Sequence, residues 1–447
     1  MNAPAPVDLS PGATIAAIGA LIAVLLLALT TWRRRRSGRP VRPGAQLQAL
    51  TLLTLFLTFD LVVFGAYTRL SDSGLGCPDW PGCYASASPV GAHPEIKAAE
   101  AAMPSGPVTQ SKAWIEMVHR YLATAVGALI TAIMVASWWQ SWRAGRGGAP
   151  GDKQLGQGQS QATTPVPNSA GWATLCFVWV CVQGAFGALT VTMKLYPAIV
   201  TLHLLGGVGL LALLAVLARR GMLPDEMSAN PAASAAATAS KARADTRVAA
   251  RKNKLPGSRD GIEPPATSST TGPASSHGWT RAQRLVLIGL FVLLLAQITL
   301  GGWVSTNYAV LACSDFPTCH GSWWPEADFA AGYTVLRDLG RHADGSLLAS
   351  SALTAIHFGH RLGALILVAA TAFVAWRLRG ASVTPWQRRA WLGVLALLAA
   401  QVVTGVSNIV LGWPLLAALL HTGGAAALLA LLAALLTRAP APASRRD

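Results

Sequence analysis

Nine stretches of about twenty or more mostly apolar residues, at 12–31, 47–68, 114–139, 172–192, 198–218, 284–306, 352–376, 387–409 and 414–436, decide what this 447-residue chain can fold into. A helix needs about 20 such residues to cross the hydrocarbon core of a bilayer. Inside lipid every backbone N–H and C=O must bond within its own segment, so runs of this length are helices. With 52% hydrophobic and 12% charged residues, the composition excludes an ordinary soluble enzyme.

The formal charge of +16 does not mark a nucleic-acid surface. Arg33 to Arg36, Arg143, Arg146, the stretch from Arg219 to Arg284, Arg377 to Arg389 and Arg445-Arg446 all fall on one side of alternating spans, which the positive-inside rule makes cytoplasmic. The loops with the acidic residues and four of the six cysteines then face outward. The first run is followed by its arginines, the reverse of a signal peptide, so 1–46 is expected to be a retained extra helix with its N-terminus outside, plus a basic segment.

Two halves restate each other. Gly65 to Cys83 has the same length as Gly301 to Cys319, with both cysteines and the intervening Asp79 and Asp315 in register. Gln183 precedes His203 by the interval at which Gln401 precedes His421, and Glu116-Met-Val-His119-Arg120 returns as His357-Phe-Gly-His360-Arg361. The expected fold is all-α: two tandem four-helix transmembrane bundles, 47–220 and 284–437, related by a pseudo-twofold along the membrane normal, plus the extra N-terminal helix. Between them, 221–283 is rich in Ala, Ser, Thr, Pro and basic residues and reads as a disordered cytoplasmic linker; 438–447 is a cytoplasmic tail.

Ionisable groups inside spans cost about 2.5–3.5 kcal/mol when charged at mid-membrane, so they need a use. Each half places two histidines near the outer ends of its second and fourth helices, His119 with His203 and His360 with His421. Facing bundle helices of this kind can hold a haem iron between two imidazoles. A lone membrane histidine is more often a packing residue, but four at repeated positions point to ligation; a proton relay would not require matched pairs. His357 stands where Glu116 does, so ligation is assigned to His360, with the reverse choice open. Cys77 with Cys83 and Cys313 with Cys319 favour two disulfides over a zinc site. Cys176 and Cys181 are expected to pack as small apolar residues. Arg120 and Arg361 are candidates to pair with haem propionates, flanking arginines at an interface being the ordinary alternative. Asp60, inside the second span, is either a buried proton or ligand site or a residue that sits near a helix end or against a polar neighbour.

The segment Gly65-Ala-Tyr-Thr-Arg-Leu-Ser-Asp-Ser-Gly-Leu leading into Cys77-Pro-Asp-Trp-Pro-Gly-Cys83, the Glu116-x-x-His-Arg step and Thr201-Leu-His-Leu resemble the haem A synthase family over 47–220 and 284–436. That resemblance implies oxidation of the C8 methyl group of haem O to the formyl group of haem A, the substrate haem in the N-terminal half and a resident haem B in the C-terminal half. It further implies an upstream haem O synthase, a role in cytochrome c oxidase assembly, and a bacterial inner membrane with the cysteine loops periplasmic. On this reading Glu116 is the catalytic residue. Cys77 and Cys83 could be redox-active or a structural staple. A dihaem b-type cytochrome that only passes electrons is the competing class, but it gives no reason for an acid beside one histidine pair alone. A transporter built from parallel repeats ranks third. The electron acceptor, the oxygen source and homo-oligomerisation are left open by the sequence.

Overall fold

The computed structural model describes residues 10–36, 44–146, 169–228, 279–342, 344–381 and 383–437. Within them the chain is helical, with no β-strand. The elements are α1 (Ser10–Arg36), α2 (Ala45–Leu70), α3 (His93–Ala102), α4 (Gln110–Arg146), α5 (Ser169–Thr192), α6 (Pro197–Ser228), α7 (Arg281–Thr306), α8 (Phe329–Gly332), α9 (Ser350–Arg377), α10 (Pro385–Val410) and α11 (Leu415–Leu436). Eight of these helices are long and apolar enough to cross a membrane: α2, α4, α5, α6, α7, α9, α10 and α11. The ninth expected span falls within α1, which runs from Ser10 to Arg36. The expected linker lies mostly outside the described residues, although α6 continues to Ser228.

The helices begin and run as their sequences require. Thr280 and Thr384 each cap a helix in a reciprocal box with Gln283 and Gln387, and Pro385 occupies the first turn of α10, where its missing N–H costs nothing. Threonines inside α2 would be costly in lipid with free hydroxyls. Thr51, Thr54, Thr58 and Thr68 each donate to the carbonyl four residues back, which spends the hydroxyl locally.

In the first group α2 packs on α4 and α6, α4 on α5 and α5 on α6; in the second α7 packs on α9 and α11, and α10 on α11. The groups meet through α2, α6, α7 and α11 and share one core, in which Val208 and Leu211 of α6 pack with Leu287 and Leu294 of α7 and Leu429 and Leu432 of α11. Lipid tails are as apolar as leucine, so close packing rather than water exclusion holds these helices together, and small residues permit it. A Cβ on Gly302 would stand 2.9 Å from Leu204, and one on Gly423 would stand 3.1 Å from Val63.

Both cysteine pairs form disulfides, Cys77–Cys83 and Cys313–Cys319, which settles the choice against zinc. Each closes a hairpin in the loop that follows α2 or α7, with Cys83 and Ser86 exchanging backbone bonds in one and Cys319 and Ser322 in the other. The enclosed aspartate braces each turn. Asp79 accepts from the amides of Tyr84 and Ala85, and Asp315 from those of His320 and Gly321 and from the Thr318 hydroxyl. Asp315, in solvent, is held down to about 2 by these bonds, the Thr318 hydroxyl first among them. The N-terminal end of α1 lies at the same level: Gly12 faces Pro81, Gly82 faces Pro11, and Ile15 is buried with the disulfide and Met117.

Candidate haem site

Each of the four candidate histidines projects at a glycine on a neighbouring helix. A Cβ on Gly65 of α2 would stand 2.9 Å from His119 Nε2, and one on Gly301 of α7 would stand 2.9 Å from His360 Cε1. Gly187 of α5 and Gly405 of α10 face His203 and His421 in the same way, 3.2 Å from Cε1 in both cases. Any larger residue would push the rings away, so the glycines are cradles for imidazoles.

The His360 and His421 rings have centroids 6.4 Å apart and planes at 84°. That separation is about the room one metal ion held between two imidazole nitrogens at about 2.0–2.1 Å would need, so the two residues would suit such a group. The pair's other nitrogens are held. Gln297 of α7 lies 3.0 Å from His360 Nδ1 and also reaches the His360 carbonyl at 3.0 Å, while Thr404 of α10 lies 3.0 Å from His421 Nδ1. The amide nitrogen that reaches the His360 carbonyl is the atom at Nδ1, so Gln297 stands there as a donor, whereas Thr404, whose hydroxyl proton goes to the Ala400 carbonyl, can accept from an Nδ1–H of His421 and so leave its Nε2 free to ligate. In the other pair Gln183 of α5 lies 3.1 Å from His203 Nδ1 and 2.6 Å from the His203 carbonyl. His119 instead stacks on Phe64, with centroids 6.2 Å apart and planes at 13°.

One turn toward the loop from His119, Glu116 is 4% exposed. Its Oε2 accepts from the Cys77 amide at 2.8 Å, and its Oε1 accepts from Arg120 Nη2. Arg120 also donates to the carbonyls of Asp79, Pro81 and Gly82. The corresponding place near the other disulfide belongs to His357, whose Nδ1 accepts from the Cys313 amide at 3.2 Å. Arg361 donates to the carbonyls of Cys313 and Thr318, and its Nε is buried without a partner. Both arginines therefore grip the disulfide loops. The unpartnered Nε leaves Arg361 a donor for an anionic group, whereas Arg120 is largely occupied.

Two expectations on neighbouring residues need correcting. Asp60 is not buried; it lies on the exposed face of α2 in line with Leu52 and Phe56. Cys176 packs in the core as expected, but Cys181 is exposed on α5. The glutamines, Thr404 and Phe64 were not expected as site residues. The signal for the glutamines is nevertheless in the sequence: Gln-x-x-x-Gly occurs at 183–187, 297–301 and 401–405, each time ending on a glycine that faces a histidine.

A family model described as cytochrome oxidase assembly protein, COX15-CtaA, matches residues 48–250 and 266–433. A protein named Heme A synthase from Shewanella oneidensis is 33% identical over 384 residues, 86% of this chain and 94% of that protein. A second Heme A synthase, from Halalkalibacterium halodurans, is 22% identical over 361 residues, 80% of this chain and 85% of that protein.

Proposed function

Since the chain belongs to the COX15-CtaA family of cytochrome oxidase assembly proteins, we propose that it is a haem A synthase, an oxidoreductase converting the C8 methyl group of haem O to the formyl group of haem A through hydroxylated intermediates. The observation that carries this reading is an asymmetry between two otherwise matching sites. Glu116 and His357 both take a hydrogen bond from the first cysteine amide of a disulfide loop, one turn from a candidate ligand, but only the N-terminal site has a carboxylate there.

The division of labour follows. His360 and His421, held at their Nδ1 atoms, suit a resident haem B that carries electrons and needs no acid. His119 and His203 would hold the substrate haem. A bound haem supplies the redox chemistry; the chain supplies position and a proton site. Glu116 is kept in place by the Cys77 amide and Arg120, so its carboxylate oxygens sit at a fixed height above His119, where a proton lost from an oxidised carbon can be taken up. Arg120 and Arg361 fix the loops that cover the two sites, and the spare Nε of Arg361 suits a propionate. The disulfides then act as staples under these loops. Haem O carries a long isoprenoid tail, for which a site between transmembrane helices is suited.

The architecture proposed with this function is two four-helix bundles related by a pseudo-twofold along the membrane normal, in the bacterial inner membrane with the cysteine loops periplasmic. It is supported by contacts that recur at fixed offsets: Glu116 with Cys77 and His357 with Cys313, Arg120 with Gly82 and Arg361 with Thr318.

Haem extraction and chromatography from protein made in cells that produce haem O tests the reading. Haem B together with haem A or a hydroxylated intermediate is the expected result. Haem B alone, with haem O available, would leave a dihaem electron carrier and overturn the proposal.

A further inference from the structure

Three of the four histidines share a clamp that the fourth lacks. Gln183, Gln297 and Gln401 each stand one turn before the glycine that faces a histidine, and each lies against a second glycine three residues after that histidine. A Cβ on Gly206 would stand 2.0 Å from Gln183, one on Gly363 2.2 Å from Gln297, and one on Gly424 2.1 Å from Gln401. The amide therefore occupies space that only glycine leaves, beside the imidazole. Two of the three glutamines bond the histidine directly; at His421 the Nδ1 bond is made by Thr404 of the same turn.

At His119 both members of the clamp are replaced. Leu61 stands one turn before Gly65, where the glutamine would be, and Leu122 stands three residues after His119, where the glycine would be. The ring differs accordingly. Its Nε2 is the atom nearest the facing glycine, whereas in the other three histidines it is Cε1, and its plane lies against Phe64 rather than against a polar group. A ring bonded at Nδ1 by a packed side chain can rotate only by breaking that bond in a low-dielectric interior, which costs more than it would in water. Stacking on Phe64 imposes no such tether on the nitrogen.

We infer that His119 is the exchangeable axial ligand of the N-terminal site, and that Gln183, Gln297 and the Thr404–Gln401 pair are positioning residues that lock the other three. This rests on the reading that the N-terminal half binds haem. The consequence is directional: the face of the site that can open is the α4 face, which Glu116 borders, and the ligand class it would admit is a small neutral diatomic molecule. The C-terminal pair, clamped on both sides, stays closed.

Carbon monoxide binding to the dithionite-reduced, haem-loaded full chain tests this, with the low-spin absorption of the two haems read in the same sample. The wild type is expected to bind carbon monoxide at the N-terminal haem only. The double variant Leu61→Gln, Leu122→Gly, which installs the clamp, is expected to weaken that binding at least tenfold. Gln183→Leu, which frees His203, is expected to strengthen it several-fold and serves alone if the double variant does not accumulate. Wild-type protein with two low-spin haems and no reaction with carbon monoxide would overturn the inference and leave the proposed function standing. So would carbon monoxide affinities that both variants leave within twofold of wild type. Absence of any N-terminal haem would overturn both readings.

Discussion

The Cys77 amide donates to Glu116 Oε2 at 2.8 Å, so the carboxylate beside His119 is fastened to the disulfide loop above it. Arg120 completes the bracket by holding the other carboxylate oxygen and the carbonyls of the same loop. Glu116→Gln separates chemistry from position at the Cys77 end, while its amide nitrogen cannot accept from Arg120 and some stability is lost there. In Glu116→Gln the amide oxygen can still accept from Cys77 while the proton acceptor is gone. The variant is expected to keep its haem content and lose formyl-haem output by about 10²–10⁴-fold, the usual worth of a positioned acid–base group. Chromatographic haem analysis measures both quantities, and undiminished haem A would remove Glu116 from the chemistry.

His357 and His360 make opposite predictions. His357 Nδ1 accepts from the buried Cys313 amide, so His357→Ala leaves that amide unsatisfied, which costs about 1–3 kcal/mol of stability. Its haem B spectrum should survive. His360→Ala removes one of the two facing rings and should abolish the low-spin haem B signal. A reduced-minus-oxidised spectrum with a thermal melt on each variant decides. Loss of haem from His357→Ala with retention in His360→Ala would exchange the two roles.

The helices, the duplicated cysteine loops and the four histidines could be read from the sequence, because each depends on a local rule: the length of an apolar run, an even spacing of cysteines, an imidazole where lipid would forbid one. The disulfides formed as expected and Asp79 and Asp315 brace them. What depends on the rotation of one helix against another was not legible. Asp60 lies on the exposed face of α2, an orientation decided by which side of α2 meets α4, α6 and α11. The Gln-x-x-x-Gly triplets could be seen as a pattern, but their meaning needs the facing histidine, which comes from a different helix in each case.

The glycine cradles predict a graded response. An added methyl on Gly301 would stand 2.9 Å from His360 Cε1, and on Gly405 3.2 Å from His421 Cε1, so the first must displace its ring further. Overpacking of this kind costs about 1–3 kcal/mol where the core is already full. Gly301→Ala should perturb the low-spin spectrum of the C-terminal haem more than Gly405→Ala does. Equal or reversed effects in the absorption spectra would show that the rings have slack that the geometry does not reveal.

The Asp315 turn sets a pH window. Its carboxyl is depressed to about 2 from an ordinary value of 3.8, because the ionised form is the one held by Thr318, Gly321 and His320. A depressed folded value contributes stability that is complete above the ordinary value and disappears as pH falls toward the folded one. The loop should therefore be unchanged from neutral pH down to about pH 4 and loosen between about pH 4 and 2. Asp315→Asn should loosen it at all pH values. Fluorescence of the exposed Trp323 and Trp324 in an acid titration reads this out, and a transition near neutral pH would contradict it.

The two helix groups are clasped beside the disulfide loops by residues at a shared sequence offset of 236. Arg69 donates to the Ser305 carbonyl at 2.7 Å and lies 3.9 Å over the Tyr308 ring, and the Tyr308 hydroxyl donates to Asp72 at 2.7 Å; beneath them Thr201 and Thr306 are 3.1 Å apart. Tyr308→Phe removes only the bond to Asp72, whose side chain and partner are both exposed, so water replaces it and the loss is expected to be at most about 1 kcal/mol. Arg69→Ala removes a charge-assisted bond to a carbonyl together with the cation–π contact, about 2–4 kcal/mol before water repays part of it. The second variant should therefore lower the melting temperature clearly more than the first. In a double-mutant cycle with Tyr308→Ala the two positions should couple, because either variant removes the same cation–π contact. Additive effects would mean that Arg69 clasps α7 through the Ser305 carbonyl alone, with no contribution from the Tyr308 ring.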